Sequence, residues 1–131
     1  MNDLLTKAMD TISRHSCVTF VRVRNATRCC RHTSYMRVTA ERPGCHSPVG
    51  REYAGGPTVV NLDPDKCFRK VGHILHELLH ALGRNHVMTR TDRGEYVDIL
   101  WENINEGKSF HHRLCVKGCV EQGCQFSMLK R

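Results

Sequence analysis

Three histidines, a glutamate and a glycine fall within the run His76-Glu77-Leu78-Leu79-His80-Ala81-Leu82-Gly83-Arg84-Asn85-His86. The order is H-E-x-x-H-x-x-G-x-x-H, a spacing suited to a catalytic metal. On a helix, His76 and His80 lie about 40° apart around the axis, so both reach one ion. Glu77 is about 100° from His76. That makes it a poor third ligand but lets it face a water held by the ion. Gly83 lets the backbone leave the helix through a left-handed residue, and the turn returns His86 to the same ion. Three neutral imidazoles leave one position open for water, the catalytic rather than the structural arrangement of zinc. The expected cofactor is one Zn2+ ion held by His76, His80 and His86. Glu77 is the expected general base toward the water.

These groups need a helix to carry them and a scaffold to hold it. Val71, Ile74, Leu75, Leu78, Leu79 and Leu82 form an apolar stripe about 140° wide, with His76, Glu77 and His80 projecting on the other side. The pattern predicts a helix over residues 65–82, with Asp63-Pro64 near its start. His73, one turn before the first ligand, reads as a surface group or one that orients a ligand. Upstream, Leu4, Leu5, Ala8, Met9 and Ile12 sit at helical spacing and predict a helix over 3–14. Residues 17–23, 35–39 and 57–62 read as strands, separated by a polar loop and by turns at Pro43-Gly44 and Pro48-Val49-Gly50. Downstream, Tyr96 and Trp101 sit in an alternating stretch and read as packing residues, Asp92 and Arg93 as a local pair, and residues 103–114 as a helix. Helix, strands, helix is an α+β order.

With 131 residues there is room for one small domain. The net charge of +7 favours acidic partners. The basic residues are scattered without an aromatic-rich strand, so a nucleic-acid partner is not expected. No run of apolar residues is long enough to span a membrane, and no signal-peptide core opens the chain. Eight cysteines, at 17, 29, 30, 45, 67, 115, 119 and 124, favour a secreted, oxidised protein. The sequon Asn25-Ala26-Thr27 fits that route. Cys29 and Cys30 are adjacent and poorly placed to bridge each other. His111, His112, Cys115, Cys119 and Cys124 lack the paired spacing of a structural zinc site and read as disulfides or thiols.

Residues 76–105, HELLHALGRNHVMTRTDRGEYVDILWENIN, resemble the astacin family of zinc metalloendopeptidases, within the metzincins. The family pattern continues past the third histidine as Thr/Ser-Arg-x-Asp-Arg-x-x-Tyr-Val-x-Ile and a later Asn-Ile. Here that run is Thr89-Arg90-Thr91-Asp92-Arg93-Gly94-Glu95-Tyr96-Val97-Asp98-Ile99, then Asn103-Ile104. Cys17-Val18-Thr19-Phe20 is similar to the family's Thr-Cys-Ile/Val-x-Phe strand, and Gly44-Cys45-His46-Ser47-Pro48-Val49-Gly50 to its Gly-Cys-x-Ser-x-Val-Gly turn. The resemblance covers roughly residues 1–110. It implies secretion, an extended cleft for protein or peptide substrates, and a disulfide between the equivalents of Cys45 and Cys67. It also implies a metzincin-like upper subdomain, with a twisted mixed sheet packed on the N-terminal and zinc-binding helices.

The departures from the pattern are specific. Val87 stands where the family has a glutamate that anchors the mature N-terminus, and the family's first strand has no counterpart. The family's Ser-x-Met-His-Tyr, a methionine turn beneath the metal followed by a tyrosine, is reduced to Phe126-Ser127-Met128-Leu129. Met128 is the candidate turn methionine, and the lower subdomain is expected to be largely missing. The expected organisation is a partial catalytic domain over 1–114 and a cysteine-rich tail over 115–131. The function expected is a zinc-dependent endopeptidase, and the alternative is a zinc-binding, inactive module.

Overall fold

The computed structural model describes residues 2–23, 34–52 and 56–105. The chain divides into two compact units, Met1–Arg84 and Asn85–Arg131. The sequon, Cys29, Cys30, the histidines and cysteines beyond 110, Met128 and the tail 115–131 lie outside the described residues.

In the first unit, the helical spacing near the N-terminus produces α1, Asn2–His15. Asp3 in its first turn and Arg14 and His15 in its last complement the helix dipole. Ala8 and Ile12 are buried, and Leu4, Leu5 and Met9 flank them. Strand β1 is Tyr35–Thr39, β2 is Cys45–His46 and β3 is Pro57–Leu62, in the order β1-β3-β2. β1 runs parallel to β3, with Tyr35 opposite Pro57 and Thr39 opposite Asn61. β2 is antiparallel, with Cys45 opposite Leu62 and His46 opposite Asn61. The small sheet is therefore mixed, and with its helices the unit is α+β.

Alternation along β3 sets what each face does. Thr58, Val60 and Leu62 are buried on one face, with Val60 and Leu62 in the apolar core. Asn61 points the other way and is buried too, beneath the backbone of residues 39–44. Its amide is fully used. Oδ1 accepts from the Arg42 N–H at 3.0 Å and the Thr39 hydroxyl at 3.4 Å. Nδ2 donates to the carbonyls of Arg42 at 2.7 Å and Gly44 at 2.8 Å. A buried amide is tolerated only when satisfied in this way.

The helix expected over 65–82 is two helices, α2 (Pro64–Cys67) and α3 (Val71–Ala81). Asp63 caps α2, accepting from the Asp65 N–H at 3.0 Å, and Pro64 opens it. The break falls at Phe68–Lys70, with Lys70 extended at φ −144° and ψ 138°. None of these residues is a helix breaker by propensity. The tether is tertiary. Cys67, wholly buried at the end of α2, is bonded to Cys45 of β2. The extended residue lets the chain re-aim after that bond.

α3 packs along α1 and against β3. Ile74, Leu78 and Ala81 face the core with Ala8, Ile12, Val60, Leu62 and Cys67. Burying Leu62, Ile74 or Leu78 contributes about 1.5–3 kcal/mol each. The apolar stripe is displaced from its expected position. Leu79 is 40% exposed, whereas Glu77, expected on the polar side, is 7% exposed. Ile74, Leu78 and Ala81 belong to the core cluster, and the buried face extends to Glu77 and leaves Leu79 partly open.

The strand expected over 17–23 makes no ladder among the described residues. Its alternation survives as burial, because Val18 and Phe20 pack on the core while Thr19 and Val21 face out.

The described part of the second unit contains three short 3-10 turns, Val87–Thr89, Arg93–Glu95 and Trp101–Asn103. Tyr96 is 74% exposed and Trp101 is also exposed, so neither is the packing residue the alternation suggested. The Arg93 guanidinium lies 5.7 Å from the centre of the Trp101 ring instead. Asp92 pairs with Arg90, not Arg93. The contact is two-pronged, from Nε to Oδ1 at 2.7 Å and from Nη2 to Oδ2. The hydrogen bond from Arg90 holds the Asp92 carboxyl below its usual range, and the same bond raises the guanidinium. Arg93 donates to the Met88 carbonyl at 2.7 Å. Asn103, the expected start of a helix, closes the third turn.

Candidate metal centre

α3 places His76 and His80 one turn apart, and their rings meet edge to face with centroids 4.4 Å apart. The two Nε2 atoms are 2.9 Å apart. His80 is 8% exposed, while His76 is open to solvent. The Nδ1 of His80 lies 2.7 Å from the Arg84 carbonyl, which can only accept. His80 Nδ1 is therefore the donor, and the lone pair of the neutral ring sits on Nε2, facing His76.

The helix ends in a glycine turn. Gly83 has φ +91°, in the left-handed region expected from its place in the motif. Its N–H donates to the His80 carbonyl at 2.7 Å, and the Arg84 N–H to the Leu79 carbonyl at 2.8 Å. These two bonds satisfy carbonyls that a helix end leaves open. The turn also brings the Arg84 carbonyl onto the His80 ring. His86 follows directly, half-buried, its N–H accepted by Asn85 Oδ1 at 2.8 Å. Its carbonyl accepts from the Thr89 hydroxyl at 2.7 Å.

Ligand nitrogens of His76, His80 and His86 all lie within 4.8 Å of one another. A tetrahedral zinc with Zn–N of about 2.0–2.1 Å requires an N···N edge of about 3.4 Å. The His76–His80 separation is some tenths of an ångström inside that edge. The remaining separations are no more than 4.8 Å. Three imidazoles with Nε2 aimed inward on at least one ligand fit zinc. Glu77 sits between the core sector and the histidine sector of α3, about 60° from His80 around the axis. His73 is exposed and meets the Lys66 carbonyl at 3.1 Å, outside the histidine cluster.

Two contributors have no side-chain signature. They are the Arg84 carbonyl that orients His80 and the Gly50 N–H, which donates to the His80 carbonyl at 2.8 Å. Only the glycine in the Pro48-Val49-Gly50 turn hinted at the second. In the second unit, Val87 is exposed where the resemblance expects a glutamate. Beside it lies a cavity of about 360 Å³ lined by Val87, Met88, Arg90, Arg93, Tyr96 and Val97.

A mixed sheet backed by a helix bearing His-Glu-x-x-His, with a left-handed glycine leading to a third histidine, defines the upper subdomain of a metzincin. Within that class the chain belongs to one family. It matches the profile of the astacin peptidase family over residues 1–123. Zinc metalloproteinase nas-14 of Caenorhabditis elegans is 56% identical over 64 residues, covering 49% of this chain and 12% of the relative. Zinc metalloproteinase nas-4 of the same nematode is 36% identical over 104 residues, covering 79% of this chain and 30% of the relative. Among solved structures, high choriolytic enzyme 1, a hatching enzyme zinc-protease from Oryzias latipes (medaka), superposes with a TM-score of 0.64 at 31% identity. The match covers 85% of this chain and 50% of that one. The chain thus spans less than a third of either nematode relative and half of the medaka enzyme.

Proposed function

We propose that this chain is a zinc-dependent metalloendopeptidase that hydrolyses peptide bonds in protein or peptide substrates. The observation that carries the reading is the convergence of three histidine nitrogens within 4.8 Å, beside a glutamate on the same helix. His76, His80 and His86 are the ligands. Zinc bound there supplies a Lewis acid that polarises a carbonyl oxygen and makes water acidic enough to attack near neutral pH. Glu77 accepts the proton that water loses as its oxygen bonds to the scissile carbon. It returns that proton to the amide nitrogen as the C–N bond breaks, so an acid and an amine leave. The near-complete burial of Glu77 supports this reading, because packing limits the rotamers of its side chain. Met128 is proposed as the methionine beneath the site, with residues 1–114 as the catalytic portion and 115–131 as a tail.

We place the protein in an oxidising, extracellular setting. The Cys45–Cys67 bond and the cysteine content of the chain support this. Among the described residues no helix is long and apolar enough to cross a membrane.

The test is a quenched fluorescent peptide library read alongside metal content. One zinc per chain and cleavage that stops with 1,10-phenanthroline and returns with zinc are expected. Stoichiometric zinc without turnover would instead make the chain a zinc-binding module. A chain that retains no zinc would remove both readings.

A further inference from the structure

We propose that Gly50, outside the histidine motif, is a positioning residue of the metal centre that acts through the backbone of His80. The inference rests on the reading of His76, His80 and His86 as zinc ligands. Among the described residues, only three have positive φ, all glycines: Gly44 at +88°, Gly50 at +76° and Gly83 at +91°. Two of the three aim their N–H groups at one atom. Gly50 reaches the His80 carbonyl at 2.8 Å and Gly83 reaches it at 2.7 Å. Both glycines are buried.

That carbonyl needs outside help. Inside a continuous helix it would accept from the N–H four residues on, but the Arg84 N–H is taken by Leu79. Gly83 offers one tight bond in exchange, and Gly50 fills the second lone pair from a different part of the chain. His80 is thereby held at three points, twice at its carbonyl and once at its ring by the Arg84 carbonyl. The last turn of a helix is where fraying is easiest. Here that turn carries a ligand whose metal distance tolerates about 0.2 Å. The Gly50 bond pins the turn from outside the helix. It can do so only while residue 50 keeps a conformation that a β-carbon opposes.

Gly44 supplies a matched control. It has the same kind of positive φ, and a β-carbon there would meet nothing within 4 Å. It belongs to the same unit, but its N–H goes to Asp63 Oδ2 at 2.8 Å and not to His80. Gly44→Ala and Gly50→Ala both place a β-carbon on a residue of positive φ, with only the second reaching the ligand.

The experiment titrates the full-length chain with Zn2+ against a chromophoric chelator and records the visible spectrum of the Co2+-loaded form. Wild type binding one ion, with binding lost in His80→Ala, establishes the ligand reading. If wild type binds none, or His80→Ala binds normally, that reading fails whatever Gly50 does. Given wild-type binding, Gly50→Ala is expected to raise the zinc Kd about 10- to 100-fold, the usual effect of losing an outer support of a ligand. It should also weaken and shift the Co2+ bands. Gly44→Ala should bind as wild type does. Equal affinities in Gly50→Ala and wild type, or equal losses in the two alanine variants, overturn the proposal. If Gly50→Ala does not fold by circular dichroism, replacing the Gly50 amide with an ester removes the N–H without adding a β-carbon, at the cost of a weaker Val49 carbonyl acceptor. Unchanged zinc affinity in that ester then overturns it.

Discussion

Removing the Cys45–Cys67 bond should cost this small subdomain a large share of its stability. The bond joins residues 22 apart in sequence, with Cα atoms 5.7 Å apart. Closing a loop of that length removes about 11 cal/mol/K of entropy from the unfolded chain, or about 3.4 kcal/mol at 25 °C. Domains typically hold about 5–15 kcal/mol in total. For a chain of 131 residues, unfolding entropy of about 2.1 cal/mol/K per residue converts this to a fall in Tm of roughly 12 °C. The variant to make is Cys45→Ala with Cys67→Ala. A reductant would reach other cysteines of the chain as well. Urea unfolding should be followed by circular dichroism on metal-free protein, because bound zinc would add its own stabilisation to wild type. The midpoint should fall and the m-value rise slightly, since the freed unfolded chain exposes more surface. A loss below about 1 kcal/mol would show that loop closure is not how this bond works. The expected loss with metal affinity intact would separate the staple from the metal centre.

The remaining expectations concern the centre and its support. Glu77→Gln keeps shape and burial while removing the base, so zinc content should match wild type and peptide turnover should fall at least about 100-fold; full activity in this variant would assign the base elsewhere. Leu78→Ala removes a wholly buried side chain from the contact between α1 and α3 and should cost about 2–5 kcal/mol in denaturant unfolding; a cost under about 1 kcal/mol would mean that the helices are not mutually supporting. The Asp63 carboxyl is held below its usual range, first by the Gly44 N–H and then by that of Asp65. A lowered native pKa gives stabilisation that is complete above the unfolded value, near 3.9, and is lost as pH falls through the native one. The stability gap between wild type and Asp63→Asn should therefore be constant from pH 7 to 5 and shrink below about pH 4. A gap that widens on acidification would contradict the hydrogen-bond assignment.

The centre was more legible in the sequence than the scaffold around it. His76, His80, Gly83 and His86 could be placed because helical spacing and a left-handed turn are local rules, and φ +91° at Gly83 obeys them. β3 and α1 were likewise carried by their own periodicity. The break between α2 and α3 was not, because Phe68, Arg69 and Lys70 carry no stop signal and the covalent tether at Cys67 acts across the fold. The buried setting of Glu77 was missed for a related reason. A stripe of leucines reports which residues are apolar but not which sector the rest of the fold covers. Arg84 and Gly50 contribute backbone atoms, which any residue type possesses. The exposure of Tyr96 illustrates the opposite error, since its alternating stretch has no core beneath it, whereas the equally ladderless Val18 and Phe20 pack on one.

Asn61 has a consequence for what this chain can tolerate. A strand of two residues forms too few ladder bonds to fix its own alignment. The amide of Asn61 takes over that task by gripping residues 42 and 44 at set positions, as a gauge block grips a workpiece. The segment from Thr39 to Gly44 is consequently measured in residues as well as shaped. Inserting or deleting a single amino acid there would leave part of the amide ungripped and shift Cys45 off its sulfur partner. Length variation among natural or engineered versions of this subdomain should avoid that segment and accumulate at sites no side chain measures.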